Sequence, residues 1–144
     1  MTSDESLRPK VGVGVMVVKD GKVLFTLRKA SHGVGTYQFL GGHLEYLESF
    51  EECARREVRE ECGIEIDNIE FVFVANVLTF APKHYVHIGL KADWKSGEPA
   101  LREPEKNGPW EWYPLDALPS PLFSLVELQF NALKTGTKYV DAVL

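Results

Sequence analysis

The chain has 144 residues, about the size of one domain, and folding a chain of this length buries roughly 68% of the surface that its unfolded form exposes. Hydrophobic residues make up 44% and charged residues 26%, which is typical of a globular domain and excludes a disordered chain or a coiled-coil rod. The net charge of −5 argues against a protein that holds nucleic acid through phosphate neutralisation alone. We therefore expect one globular domain over residues 1–144.

The apolar segments are too short to cross a membrane. The longest ones, Val11 to Val18 and Phe71 to Leu78, fall far short of the roughly 20 residues that a membrane-spanning helix needs. The first ten residues, MTSDESLRPK, carry acidic side chains and lack the apolar stretch of a secretory signal. We expect no membrane association and a cytoplasmic location, in which Cys53 and Cys62 are buried free thiols.

The first part of the chain predicts strands separated by glycine-rich turns. Val11–Val18 and Lys22–Arg28 are expected to form a β-hairpin, because Asp20-Gly21 between them tolerates the positive φ angles of a tight turn. The segments that follow are predicted to be a loop, a short strand and a sharp backbone turn: Ala30–Gly35, Thr36–Leu40 and Gly41-Gly42.

A helix with well-marked ends is predicted next. Ser49 and Glu52 have the spacing of a capping box, and Gly63 stands where a helix that includes Cys62 would end. An apolar stripe at i, i+4 and i+8 is expected to pack this helix on a sheet: Phe50, Ala54 and Val58.

The second half of the chain predicts further strands and one more helix. The expected elements are strands at Ile69–Phe80 and His84–Trp94, a polar loop at Lys95–Gly108, a strand at Trp110–Tyr113 and a terminal helix at Ser124–Leu133. This order predicts an α+β fold with a mixed sheet, arranged as an α/β/α sandwich with helices on both faces.

The span from Glu45 to Glu61 holds seven carboxylates and three arginines. Within it, Glu57, Glu60 and Glu61 are three and four residues apart and therefore share one helix face. Carboxylates so close together repel one another, and a hard divalent cation such as Mg²⁺ relieves this repulsion. Charge alone also suits a solvated helix, in which Arg56 pairs with neighbouring glutamates.

The stretch from Gly42 to Ile64 distinguishes these interpretations. Its sequence, GHLEYLESFEECARREVREECGI, resembles the Nudix box, G-x5-E-x7-R-E-U-x-E-E-x-G-U with U aliphatic. All nine typed positions match, and the expected frequency of a chance match is on the order of 10⁻⁷. The chain is thus similar to Nudix hydrolases. The segments Gly41–Glu45 and Glu103–Lys106 resemble those of MutT-like nucleotide-pool enzymes.

This resemblance implies a Nudix fold and a metal-dependent hydrolase. The implied metal ligands are Glu57, Glu60, Glu61 and the backbone carbonyl of Gly42, with Mg²⁺ as the expected ion and Mn²⁺ as the alternative. Arg56 is expected to organise these carboxylates, with Glu48 orienting Arg56. The general base stays open between Glu57 or Glu60 and a downstream loop acid such as Glu105.

The implied substrate is a nucleoside diphosphate linked to a further group. A nucleoside or modified nucleoside triphosphate, cleaved to monophosphate and pyrophosphate, is the favoured class. ADP-ribose-like dinucleotides, dihydroneopterin triphosphate, prenyl diphosphates and a catalytically decayed binding module are the alternatives. The implied partner is thus a small molecule and not a stably bound nucleic acid, and a homodimer stays open.

The candidate substrate-binding residues come from four segments of the chain: Arg28, His43, Tyr85, His87, Phe123, Ser124 and Leu125. Tyr85 and His87 share one face of a predicted strand. Phe123 either stacks on a nucleobase or anchors the core.

Two positions depart from the common family pattern. Leu40 stands where proline is common, and Leu47 where glycine is common. Leu47 is expected to be strained if that position needs a positive φ angle.

Overall fold

The computed structural model describes residues 7–143. The strands are β1 (Lys10–Lys19), β2 (Lys22–Leu27), β3 (Tyr37–Gln38), β4 (Leu40–His43), β5 (Glu65–Val77), β6 (Tyr85–Ser96), β7 (Glu111–Pro114) and β8 (Tyr139–Val143), and the helices are α1 (Phe50–Cys62) and α2 (Ser124–Thr135). Residues 1–6 lie outside the described range, and they form much of the segment in which we expect no secretory signal. Within residues 7–143, no helix is long and apolar enough to cross a membrane.

The strands form one mixed sheet with the order β3-β2-β1-β6-β5-β8, in which β4 also pairs with β1 and β7 with β2. β1 runs parallel to β6 and β5 runs parallel to β8, while the other pairs are antiparallel. The mixed sheet of the predicted α+β fold is therefore confirmed.

Strand β1 is shared between two partners along the same edge. The predicted hairpin is confirmed: Asp20 and Gly21 have φ angles of 49° and 74°, as a tight turn between twisted strands requires. β2 pairs with β1 only beside this turn, and β4 takes over the edge of β1 from Val15 to Gly12. β4 therefore lies along the part of β1 that β2 leaves unpaired.

The two helices cover opposite faces of the sheet. Val13, Val15 and Val17 of β1 belong to the core cluster that includes Ala54 and Val58 of α1. Met16, which points to the other face because side chains alternate along a strand, packs in the cluster that includes Val126 of α2. This arrangement is the predicted sandwich.

Helix α1 has the predicted ends. The Glu52 amide donates to the Ser49 hydroxyl at 3.0 Å, and the Ser49 amide donates to the Glu52 carboxylate at 3.2 Å. Gly63 ends the helix with a φ angle of 78°. The prediction that Phe50 packs on the sheet was wrong, because this side chain is 44% exposed. Cys53 and Cys62 are buried free thiols, as predicted.

Two further expectations were wrong. Gly41 and Gly42 do not form a turn but lie within β4, paired with Gly14 and Val13. Their role is close approach, because a Cβ atom at Gly41 would clash with the Val13 carbonyl oxygen. Helix α2 is also not the last element, since β8 follows it and pairs with β5; Tyr139, at its start, is 67% exposed, so β8 lacks a strong apolar pattern.

Candidate active site

Two carboxylates of α1 meet beside the glycines of β4. Glu61 is 5% exposed and accepts a hydrogen bond from the Gly41 amide at 3.1 Å. Glu57 packs against Gly42 so closely that a Cβ atom there would clash with the Glu57 carboxylate. Burial raises the pKa of Glu61 well above its ordinary value, and the neighbouring Glu57 adds to the effect. Burial also raises the pKa of Glu57.

Arg56 connects the glutamates of the motif. Its guanidinium binds Glu48 through two nitrogens, at 2.6 and 2.9 Å, and binds Glu57 at 2.6 Å. It also contacts the more exposed Glu60 at 3.2 Å and the carbonyl oxygen of His43 at 3.0 Å. These bonds to Arg56 lower the pKa of Glu48 to about 2. Arg56 thus joins Glu48 to Glu57 through hydrogen bonds.

The donor set suits a divalent cation. In the described chain, no group of three or more acidic, histidine or cysteine side chains is already arranged to hold a metal ion. Glu57 and Glu61 nevertheless lie side by side, and burial together with the neighbouring Glu57 raises the pKa of Glu61. A hard cation on oxygen ligands would remove the cost of two buried like charges. Glu60 lines the same cleft from its outer side.

A second cavity, of about 210 Å³, lies on the α2 side of the sheet. Its walls include the rings of Phe80, Tyr85, Phe123 and His43. The ring of Phe80 is parallel to that of Phe123, with centroids 5.8 Å apart, and the rings of His43 and Tyr85 lie 5.7 Å apart. Flat apolar walls of this kind suit a planar ring system.

Arg28 mainly stabilises the wall of this cavity, because its guanidinium is bound to other groups of the protein. It donates to the carbonyl oxygens of Ser31 and His32 and to the side chain of Gln38. Its guanidinium lies over the Phe123 ring, 4.4 Å from the centroid. Phe123, 8% exposed, therefore belongs to the core and to the cavity wall together, and Arg28 covers one face of its ring.

The acidic cleft, of about 420 Å³, and the aromatic cavity join at the edge of the sheet. The residues that line both are Arg28, Gln38, Gly41, Gly42 and His43. The acidic cleft faces α1 and the aromatic cavity faces α2, so a ligand that fills both must pass over β4. The arrangement fits an elongated molecule with a planar end and an anionic end.

Most of the predicted site residues border one of these spaces. Glu57, Glu60, Glu61, Arg56 and Gly42 line the cleft, whereas Tyr85, His87, Phe123 and Leu125 line the cavity. Ser124 is exposed and does not line either space, because it faces away at the start of α2. The loop acid that lines the cleft is Glu103, and Glu105 is exposed outside it.

Sequence reasoning missed several residues of the site. Gly12 and Gly14 line the cavity from β1, where their alternation with valines was the available signal. Gln38 donates to Asn107 at 3.0 Å and so ties β3 to the loop that carries Glu103. That long-range pair leaves no local pattern in the sequence.

A profile of the NUDIX domain matches residues 8–134 of the chain. The NAD-capped RNA hydrolase NudC of Pseudomonas aeruginosa (strain LESB58) is 35% identical over 105 residues, which are 73% of this chain and 36% of that protein. The oxidized purine nucleoside triphosphate hydrolase of Danio rerio is 35% identical over 111 residues, which cover 73% of this chain and 66% of that protein. The chain thus spans about a third and about two thirds of these relatives.

Among solved structures, a MutT NUDIX hydrolase from Burkholderia pseudomallei has the same fold, with a TM-score of 0.77 and 33% sequence identity. The similarity covers 88% of this chain and 97% of that one.

Proposed function

Because this chain belongs to the Nudix hydrolase superfamily, we propose that it hydrolyses a phosphoric anhydride bond in a nucleotide-linked substrate. The favoured substrate is a nucleoside or modified nucleoside triphosphate, which gives a nucleoside monophosphate and pyrophosphate. The observation that carries this proposal is the junction of the aromatic cavity with the acidic cleft over Gly41, Gly42 and His43. The similarity to a purine triphosphate hydrolase supports the same substrate class.

The metal-binding groups in this proposal are the carboxylates of Glu57, Glu60 and Glu61 and the carbonyl oxygen of Gly42. A bound Mg²⁺ or Mn²⁺ supplies neutralisation of the diphosphate and a more acidic water. Arg56 holds Glu57 in place and in turn is held by Glu48, so the carboxylate orientation does not depend on the substrate.

In the hydrolytic step, a water oxygen bonds to phosphorus and the bond from phosphorus to the bridging oxygen breaks, so that pyrophosphate leaves. The water proton passes to a carboxylate of the cleft. The candidates are Glu57, Glu60 and the loop acid Glu103, which lines the cleft and lies close enough to raise the pKa of Glu57.

The experiment is a panel of substrates assayed with and without Mg²⁺ or Mn²⁺, for released pyrophosphate or phosphate and, with ADP-ribose and NAD⁺, for released AMP. The panel contains nucleoside triphosphates, an oxidised purine triphosphate, ADP-ribose, NAD⁺, dihydroneopterin triphosphate and a prenyl diphosphate. We expect metal-dependent turnover that is fastest with a purine triphosphate. Binding of these compounds without turnover of any would instead identify a binding module.

A further inference from the structure

His87 is a polar side chain in the cavity that Phe80, Tyr85 and Phe123 line. It lies on β6, is 8% exposed and lines the cavity. In residues 7–143, no side chain or backbone group forms a hydrogen bond with its ring nitrogens. The ring nitrogens are not among the fully buried side-chain atoms that lack a partner, so solvent in the cavity reaches them. They are therefore available to form a hydrogen bond with a ligand that displaces this water.

Two glycines of β1 make the room for this ring. β6 runs parallel to β1, and Gly12 stands opposite His87. A Cβ atom at Gly14 would lie 2.9 Å from the His87 Cε1 atom and 3.1 Å from Nε2, whereas one at Gly12 would lie 3.7 Å from Nδ1. The ring of Phe73 also packs against the imidazole, with centroids 5.8 Å apart. The imidazole is thus fixed low on the sheet, and the cavity stays open above it.

The ring is neutral at physiological pH. Burial lowers the pKa of His87 to about 4, so the imidazole offers one N–H donor and one nitrogen acceptor without a charge. A neutral imidazole does not favour a phosphate group over water. It does favour a flat ring whose edge carries oxygen or nitrogen, which the aromatic walls Phe80 and Phe123 also suit.

We propose that His87 is a specificity-determining residue that hydrogen bonds to the edge of a nucleobase and so selects nucleotides over prenyl diphosphates. A hydrocarbon chain would pack on the apolar side chains of the cavity but would displace water from the imidazole without pairing with it, and a site with an unpaired polar group rejects such ligands. The inference rests on the proposed function for the cleavage step, but it concerns only the end of the substrate far from the phosphates.

The first test compares His87→Leu with His87→Gln on dGTP and on geranyl diphosphate, each with Mg²⁺. Loss of one neutral hydrogen bond is expected to raise KM for dGTP about tenfold in His87→Leu while kcat changes less than threefold. His87→Gln, which keeps a donor and an acceptor, should recover most of this loss. Hydrolysis of geranyl diphosphate should be unimpaired or improved in His87→Leu. An unchanged KM for dGTP in His87→Leu would overturn the proposal.

A second pair of variants moves the imidazole without removing it. Gly14→Ala places a methyl group too close to the ring, whereas Gly12→Ala adds the same methyl group at ordinary contact distance. We expect Gly14→Ala to raise KM for dGTP several-fold and Gly12→Ala to raise it less. Equal effects of the two methyl groups would contradict a role for the position of the ring.

Two measurements separate this proposal from the cleavage step and from a purely structural role. Calorimetric binding of dGMP without metal reports the base site alone, so a tenfold weaker dGMP affinity in His87→Leu supports the proposal even if dGTP is not hydrolysed. The melting temperature of His87→Leu should stay close to that of the wild type, because within residues 7–143 the ring makes no hydrogen bond that the substitution would remove. A lower melting temperature with unchanged dGMP affinity would assign His87 to the core and overturn the proposal.

Discussion

Single charged groups carry most of the chemistry that we propose for this molecule. Glu57 and Glu61 are carboxyl groups whose pKa values burial raises, and Arg56 lies at hydrogen-bond distance from only the first of them. A carboxylate in such a place is costly to the fold and useful to a cation. Its removal should therefore affect function and stability in opposite directions.

Glu57→Gln and Glu61→Gln are each expected to lower kcat by a factor of roughly 10² or more, because each removes a negative charge from the proposed metal site while keeping the side-chain shape. Turnover is measured at saturating Mg²⁺ with the preferred substrate from the panel. Glu51→Gln, an exposed position at the start of α1, is the matched control and should keep wild-type kcat. Wild-type turnover in both active-site variants would show that the site is assigned wrongly.

His87 also leads to a prediction about stability and pH. Its pKa of about 4 in the folded protein lies below the ordinary histidine value near 6.5, so between these pH values the unfolded chain binds a proton that the folded chain does not. The free energy of unfolding should therefore fall as pH is lowered from 6.5 to 4, by about 3 kcal/mol from this residue. Denaturant unfolding at pH 7 and pH 4.5 should show a smaller loss in His87→Gln than in the wild type. An identical loss would mean that the ring is charged in the fold or absent from the interior.

At the scale of one element, the loop before α1 combines strain with function. Leu47 has a φ angle of 62°, a backbone conformation that costs a residue with a Cβ atom about 1–2 kcal/mol. Its side chain is 85% exposed, so packing does little to offset this cost. The neighbouring Glu48 binds Arg56, and the Glu45 amide donates to Glu48 at 3.0 Å. The strained turn thus places Glu48 beside Arg56, which in our proposal holds the catalytic carboxylates.

Leu47→Gly is expected to raise the free energy of unfolding by up to about 1 kcal/mol, because relief of the left-handed strain exceeds the extra chain entropy of glycine. Thermal unfolding should show a melting temperature about 2–4 °C higher. Tyr46→Gly is the matched control: Tyr46 is 90% exposed with no positive φ angle, so it should lose stability. A lower melting temperature in Leu47→Gly would show that the chain entropy outweighs the strain. Higher kcat/KM or metal affinity is also expected if loop order limits the wild type.

Considered as a whole, the molecule separates its charge from its apolar binding space across one sheet. The acidic cleft faces α1 and the aromatic cavity faces α2, and the open edge at β4 is the route between them. Much of the net charge of −5 comes from the span around α1. Cation binding at the proposed site should therefore change the stability of the entire domain, since it offsets the cost of the buried carboxylates Glu57 and Glu61.

Mg²⁺ at about one hundred times its Kd is expected to stabilise the wild type by about 2.7 kcal/mol, which corresponds to a melting temperature roughly 5–10 °C higher. Glu61→Gln should be more stable than the wild type without metal, because the buried carboxylate is gone, and should respond little to Mg²⁺. The measurement is a thermal unfolding series with increasing MgCl₂, with KCl at matched ionic strength as the control. An equal response of variant and wild type would place the cation elsewhere.

The sequence by itself determined the features that depend on local rules. The capping box of Ser49 and Glu52, the glycine after α1 and the Asp20-Gly21 turn follow from hydrogen bonds and φ angles within a few residues, so their positions were predicted closely. The family was predictable for a similar reason, because the nine positions of the motif lie in one continuous stretch. The mixed sheet was predicted from the order of strands and helices along the chain.

Only the tertiary structure determined which faces of the strands, helices and loops contact one another. Gly41 and Gly42 look like a turn in the sequence, yet the Val13 carbonyl and the Glu57 carboxylate press against them from other elements and require glycine within a strand. Glu103 rather than Glu105 reaches the cleft, and Ser124 turns away from the cavity while Phe123 lines it. The unpaired imidazole of His87 also depends on Gly12 and Gly14, about 75 residues earlier in the chain. Packing between distant segments sets these contacts, and no pattern within one segment contains them.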